Sequence, residues 1–250
     1  MIYSENFKET VDLSLINQFY LGDGNPNSNI LLIGKELASC DNNHYENAIS
    51  WKKNIENPHY EIPNWRENGI DRKEFFNPLH PFKGMKLNDQ KEVETWRKYQ
   101  KLIDFINNIE NENKDQLYTF HQESFLTELN DNPSKYSNLQ IEEKRRKSIN
   151  DRIGNFFSLP FIQSFPIVIM ANSHYVRDYK INICKLFDVE YEGKPRIVND
   201  NKNQWYNIHI NEKTPKLVIH TRQLSSNITD DLLKEIALSV QNFRIKFKIN

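Results

Sequence analysis

Glycine and cysteine are scarce in this chain, and neither sign of charge is in surplus. Its 250 residues include 7 Gly and 2 Cys. Two thiols, Cys40 and Cys184, cannot form a disulfide framework, a four-cysteine zinc site or a four-cysteine iron–sulfur cluster. A reducing compartment is the simpler expectation. So few glycines exclude collagen-like and Gly-rich linker classes. Lys and Arg total 33 against 34 Asp and Glu, for a formal charge of -1. That excludes a chain that is basic throughout, but not a local basic face. The apolar runs are short (about four or five residues), whereas a membrane-spanning helix needs roughly 20. The first ten residues, MIYSENFKET, lack a basic region followed by an apolar stretch, so no signal peptide is read. A soluble, cytoplasmic protein is expected, with no membrane partner.

Against these absences stands an aromatic content of 12%, too high for a disordered chain of this charge. The length is enough to bury a core without metal or disulfide staples. No repeat and no domain boundary is visible, so 1–250 reads as a single domain. Asn is abundant at 33 residues, so one Asn alone carries little functional weight.

Four short apolar runs have strand character: residues 29–34, 124–130, 166–171 and 216–221. The first, third and fourth are continuous and rich in β-branched residues, as in parallel strands buried on both faces. Helical spacing lies between them. Val93, Trp96, Tyr99, Leu102, Ile103, Ile106 and Ile109 recur at steps of three and four, as do Ile149, Ile153, Phe156 and Phe157. Val176, Tyr179, Ile183 and Phe187 follow the third run, and Leu232 to Phe243 closes the series, with Thr229 as its expected N-cap. Residues 205–210 alternate and read as an edge strand or a hairpin. Strands alternating with helices predict an α/β fold, a central four-stranded parallel sheet flanked by helices on both faces. The stretch 40–90 is too long for an ordinary connection and predicts functional loops.

In such a sheet, ligands bind outside the carboxyl ends of the strands. There the sequence offers Gly34, Lys35 and Glu36, then Glu128 and Asn130, then Asn172, Ser173 and His174, then His220, Thr221 and Arg222. A carboxylate, an amide, an imidazole and a guanidinium converging on one rim suffice for acid–base or electrostatic catalysis. The plainer reading is that polar residues end strands because the chain is leaving the core, and that Asn172 or Ser173 caps a helix. Lys35 reads as solvated or phosphate-facing. The seven His lack zinc-binding spacing. No P-loop, dinucleotide fingerprint or nucleophile elbow occurs, and no cofactor or metal is expected.

Residues 22–36, with Gly22, Gly24, a hydrophobic strand and then Gly34, Lys35 and Glu36, resemble the first motif of the uracil-DNA glycosylase superfamily. Residues 220–225 resemble that superfamily's late His-Pro-Ser-Pro-Leu-Ser motif, with His220, Leu224 and Ser225 at matching positions and Thr221 and Gln223 in place of the prolines. The resemblance implies a divergent member with the superfamily's fold. The activity it implies is hydrolysis of the N-glycosidic bond of uracil or a related deaminated base in single- or double-stranded DNA. It implies Glu36 as the acid that places water and His220 as the group stabilising the departing base. Gly34 and Lys35 would line the substrate site, and Asn130 would read the base. Leu224 would be the wedge in the duplex, and Arg222 and Ser225 would face phosphate. An aromatic from 40–90 would stack on the base, with Phe82, Trp51, Trp65 and Phe76 as candidates. The alternative is a catalytically inactive nucleic-acid or nucleotide-binding module of the same fold, and a small-nucleoside enzyme is a third reading. A monomer is expected. Any DNA face must be local, and 72–101 is one candidate, with eight cations against four acids.

Overall fold

The computed structural model describes residues 1–36, 46–57, 77–81, 86–87, 94–109, 116–133, 141–225 and 227–249. Their elements run α1 Glu5–Asn17, β1 Asp23–Gly24, β2 Ile30–Glu36, α2 Glu46–Glu56, α3 Glu94–Ile106, α4 Phe120–Glu123, β3 Phe125–Asn130 and α5 Glu142–Asp151. A π-helical turn, Arg152–Phe156, continues α5. Then come α6 Pro160–Gln163, β4 Ile167–Met170, α7 Tyr175–Asp178, α8 Ile183–Phe187, β5 Glu190–Tyr191, β6 Arg196–Val198, β7 Asn201–Asn211, β8 Lys216–Thr221 and α9 Asp230–Phe247.

The fold is α/β, a mixed eight-stranded sheet flanked by helices. The strand order is β1-β3-β2-β4-β8-β7-β5, with β6 also paired to β7. The four strands read from the sequence sit together and run parallel, β3 to β2, β2 to β4 and β4 to β8. The sheet is nevertheless neither four-stranded nor all parallel. β1 adds to β3 antiparallel, β7 adds to β8 antiparallel, and β5 and β6 add to β7. The alternating run at 205–210 belongs to β7, which is longer than any predicted strand.

Adjacent residues of the parallel strands feed opposite cores, since a strand turns alternate side chains to opposite faces. Ile30, Leu32, Leu126, Ile167, Ile169 and Ile219 meet Leu102 and Ile106 of α3 and Leu233, Ile236 and Val240 of α9. Leu31, Ile33, Leu129, Val168, Met170 and Val218 meet a second core rich in aromatics from α1, α2 and 156–187. That double burial is why these runs read as continuous rather than alternating. Thr229 caps α9 by accepting from the Leu232 amide, as predicted. Asn172 and Ser173 do not cap α7 through their side chains; the position before it is His174, which makes no capping bond.

Gly22 and Gly24 adopt positive φ, +129° and +99°. What approaches them is β3 and its lead-in: a Cβ would lie 2.3 Å from the Leu126 carbonyl at Gly22 and 2.4 Å from that of Ser124 at Gly24. These glycines serve strand packing. Among the described residues, no helix is long and apolar enough to cross a membrane.

Candidate functional site

The parallel strands specify where a crevice forms. From β2 the chain crosses to β3 on one side and then returns to β4 on the other, so the connections after β2 and β4 leave in opposite directions. Ligand crevices open at such a switch point, outside the carboxyl ends. β2 ends there in Gly34, Lys35 and Glu36, and β4 is followed by Asn172, Ser173, His174 and Tyr175.

Glu36 is the centre of this arrangement. Its Oε2 accepts from the Tyr175 hydroxyl at 2.7 Å and from the Asn130 amide at 3.2 Å. Among the described residues its buried Oε1 has no hydrogen-bond partner, so one carboxylate oxygen is fixed and the other is an unfilled acceptor there. Asn130 lies opposite Glu36 in the parallel register. Its Oδ1 accepts from the Asn132 amide, and the whole residue is buried. Asn130 therefore holds Glu36, rather than presenting a free amide to a base.

One register step earlier, Glu128 lies opposite Gly34. A Cβ at Gly34 would stand 2.2 Å from Glu128 Oε2. The missing side chain at Gly34 is therefore the space the Glu128 carboxyl occupies. Where the resemblance implies that Gly34 lines the substrate site, the group that approaches it closely is the protein's own Glu128 carboxyl. Glu128 is partly exposed as a residue, but its Oε2 is covered and has no hydrogen-bond partner among the described residues. Burial, and then the Glu36 charge, push its pKa up to about 8. Its carboxyl keeps its proton at neutral pH and spares Glu36 a second negative neighbour. Glu128 stood in the sequence as a strand-end acid two residues from Asn130. Only the pairing of β3 with β2 reveals that it fills the place of a missing Cβ.

Lys35 leaves the opposite face of β2. It is 8% exposed, and its ammonium lies 4.6 Å from the centre of the Tyr175 ring. Burial holds its pKa below the usual lysine range.

His220 ends β8, one strand beyond the crevice. Its Nε2 donates to the Ser173 carbonyl at 2.9 Å, and its Nδ1 accepts from Asn207 at 3.4 Å. Burial lowers its pKa to about 4, so the imidazole is neutral at physiological pH. Both nitrogens are used within the protein, which places His220 as a staple of the turn between β4 and α7. Ser173, at φ 53°, also donates its amide to Thr221. Asn172 reinforces the same turn, donating to the carbonyls of Ile33 and Gly34. Together they set the backbone that carries Tyr175 to Glu36.

The rest of the late motif is built into the fold. Leu224 is wholly buried in the core beneath α9, so it does not stand out as a wedge; its apolar side chain is drawn inward by Ile228 and Leu232. Arg222 donates to the backbone carbonyls of Asn203 and Asn227, tying the loop to β7. Ser225 is partly exposed at the surface of that loop. Of the aromatic candidates, Trp51 is fully buried and donates to the Gly22 carbonyl at 2.7 Å, which excludes it from stacking on a base as it stands. Phe82, Trp65 and Phe76 lie outside the described residues. So does half of 72–101, and within the described part Lys98 and Lys101 pair with Asp230.

Arg152 anchors the layer beneath the rim. Fully buried, it donates to the carbonyls of Tyr20 (2.7 Å) and Glu128 (2.9 Å) and to the Thr127 hydroxyl (2.9 Å), with Asp131 at 3.6 Å. No sequence pattern marked it, because a lone Arg in a polar helix gives no signal of burial. Among the described residues, no group of three or more His, Cys, Asp or Glu is arranged to hold a metal ion. A polar hollow lined by Asn25, Asn29, Gln122 and Arg244 lies at the amino end of β2, away from this chemistry. Compared with models of known protein families and with curated proteins, the chain matches none.

Proposed function

We propose that the protein is a hydrolase of N-glycosidic bonds, related in fold to the uracil-DNA glycosylases, acting on uracil or a similar deaminated base in DNA. The observation that carries the reading is the Glu36 carboxylate at the switch point, clamped through one oxygen by Tyr175 and Asn130 and unfilled at the other. In the proposed reaction, water donates a proton to Glu36 Oε1 as its oxygen bonds to the anomeric carbon. The carbon–nitrogen bond breaks, and its electron pair leaves with the base. Tyr175 and Asn130 position the carboxylate, and the protonated Glu128 beneath it holds local charge to one unit. The strand order and the first-motif residues support the reading, while the late motif contributes through the turn that His220 staples.

The test is production of abasic sites from uracil-containing single- and double-stranded oligonucleotides. Wild type should yield strand breaks after alkali, and Glu36→Gln should lose at least about a hundredfold in rate, as expected for a removed general base. No abasic product at high protein concentration, or full activity in Glu36→Gln, overturns the proposal. A second reading, a binding module without chemistry, is favoured by the engagement of both His220 nitrogens and of the Asn130 amide within the protein. It predicts DNA binding that weakens steeply with salt and no cleavage.

A further inference from the structure

A lysine whose stem is covered can still hold its ammonium at the surface, where an anion can reach it. Lys35 is placed in this way. The residue is 8% exposed and its Nζ is not among the buried unpartnered atoms, so the ammonium reaches solvent; among the described residues Nζ makes no hydrogen bond and no ion pair, and it lies against the face of Tyr175. The acids nearest Lys35, Glu36 and Asp178, act on it through their charge but are hydrogen-bonded or ion-paired to other groups. Glu36 is held by Tyr175 and Asn130, and Asp178 pairs with Arg177 and His174. A second cation flanks the same ring: the Arg145 guanidinium is 5.6 Å from the Tyr175 centre, and its NH1 lies 3.4 Å from the Tyr179 hydroxyl and 3.6 Å from the Glu142 carboxylate. Tyr175 and Tyr179 meet edge to face at 5.1 Å, and Arg146 sits 5.2 Å from the Tyr179 centre. The result is a strip of cations and aromatic rings, with Glu142 paired to both arginines, that begins one residue from Glu36.

We propose that Lys35 and Arg145, gathered on the Tyr175 ring, form a phosphate subsite that holds the substrate's phosphate group while Glu36 faces its sugar. The proposal rests on the reading of Glu36 as the reacting end of the site, and it adds the charged part of the substrate. Lys35 and Glu36 are consecutive at the end of a strand, with α-carbons about 3.8 Å apart, and both reach Tyr175, Lys35 at the ring and Glu36 at the hydroxyl. A nucleotide carries its anomeric carbon and its phosphate on one sugar, so neighbouring side chains can reach both. Phosphate suits an ammonium and a guanidinium together, since its several oxygens accept from both. The phosphate source is either a free nucleotide or the backbone of a DNA strand.

Isothermal titration calorimetry at low salt separates the cases, with deoxyuridine, dUMP and an oligothymidylate lacking a terminal phosphate as probes. Wild type should bind dUMP at least about tenfold more tightly than deoxyuridine, a modest gain for a charge-assisted contact. Lys35→Gln should erase that gap while Lys35→Arg retains part of it. Arg145→Gln, on the partly exposed face of α5, should narrow the gap and serves as the deciding variant if Lys35→Gln fails to fold. Displacement of dUMP by the oligothymidylate supports a subsite that accepts a backbone diester; no displacement supports one for a phosphomonoester. Equal affinities for dUMP and deoxyuridine in wild type, or an undiminished gap in a folded Lys35→Gln, overturn the subsite. The gap is read without turnover. A protein that makes no abasic product but shows the gap keeps the subsite and loses the proposed reaction. One that excises uracil without the gap does the reverse.

Discussion

Replacing Glu128 by Gln probes the buried carboxyl through stability rather than activity. In the fold, Glu128 releases its proton near pH 8, against an ordinary value of 4.5. Between those values the folded chain holds a proton that the unfolded chain has given up. Stability must therefore fall as pH rises through the window, and the loss is complete above pH 8. At about 1.4 kcal/mol per pH unit, the slope accumulates to roughly 4 kcal/mol between pH 5 and pH 9. Gln is close in shape to the protonated acid and cannot ionise. Urea unfolding of both proteins at five pH values from 5 to 9 gives the difference directly. The two should agree within about 1 kcal/mol at pH 5, and the variant should be more stable by about 4 kcal/mol at pH 9. Asp23, whose pKa burial raises to about 7, titrates in both proteins and largely cancels. A difference that stays flat from pH 5 to 9 refutes the claim that Glu128 is protonated in the fold, and with it the assignment of a single negative charge at the site.

Two further substitutions test the packing that frames the crevice. Gly34→Ala drives a Cβ into the Glu128 carboxyl and should cost about 1–3 kcal/mol, the usual range for overpacking; adding Glu128→Ala should recover part of the loss in thermal unfolding, and no recovery would show that the clash lies elsewhere. Leu224→Ala empties a fully buried position and should cost about 2–5 kcal/mol, seen as a lowered urea midpoint, whereas a surface wedge would leave the midpoint unchanged.

The sequence made the central strands legible because double burial writes an uninterrupted apolar run, as at 30–33 and 167–171. It also marked α9 through its cap and its periodic stripe. It did not mark α1, whose first core contacts, Phe7 and Val11, are too few to stand out among polar neighbours. The antiparallel half of the sheet was legible only as one alternating segment, since β5 and β6 are two and three residues long. At the site, the strand ends identified Glu36, Lys35 and Asn130 as neighbours of a rim. What they could not give was partnership. The pairing of Asn130 with Glu36, of Tyr175 with Glu36, and of His220 with a turn carbonyl each joins residues 47 or more positions apart. Leu224 shows the opposite limit: a residue in a motif-like position can be claimed by the core, because an apolar side chain follows burial.

The order of strands in the sheet also governs how the chain can fold. β2 is complete by residue 36, yet its partners β3 and β4 begin at 125 and 167, and β8 begins at 216. Every central pairing thus closes a loop of tens of residues or more, and such non-local topologies fold slowly. Until β4 arrives, Leu31 and Ile33 form an unpaired apolar edge of the kind that recruits other chains. During synthesis, the strand that ends in the candidate catalytic carboxylate is therefore the segment of the described fold most in need of protection from aggregation.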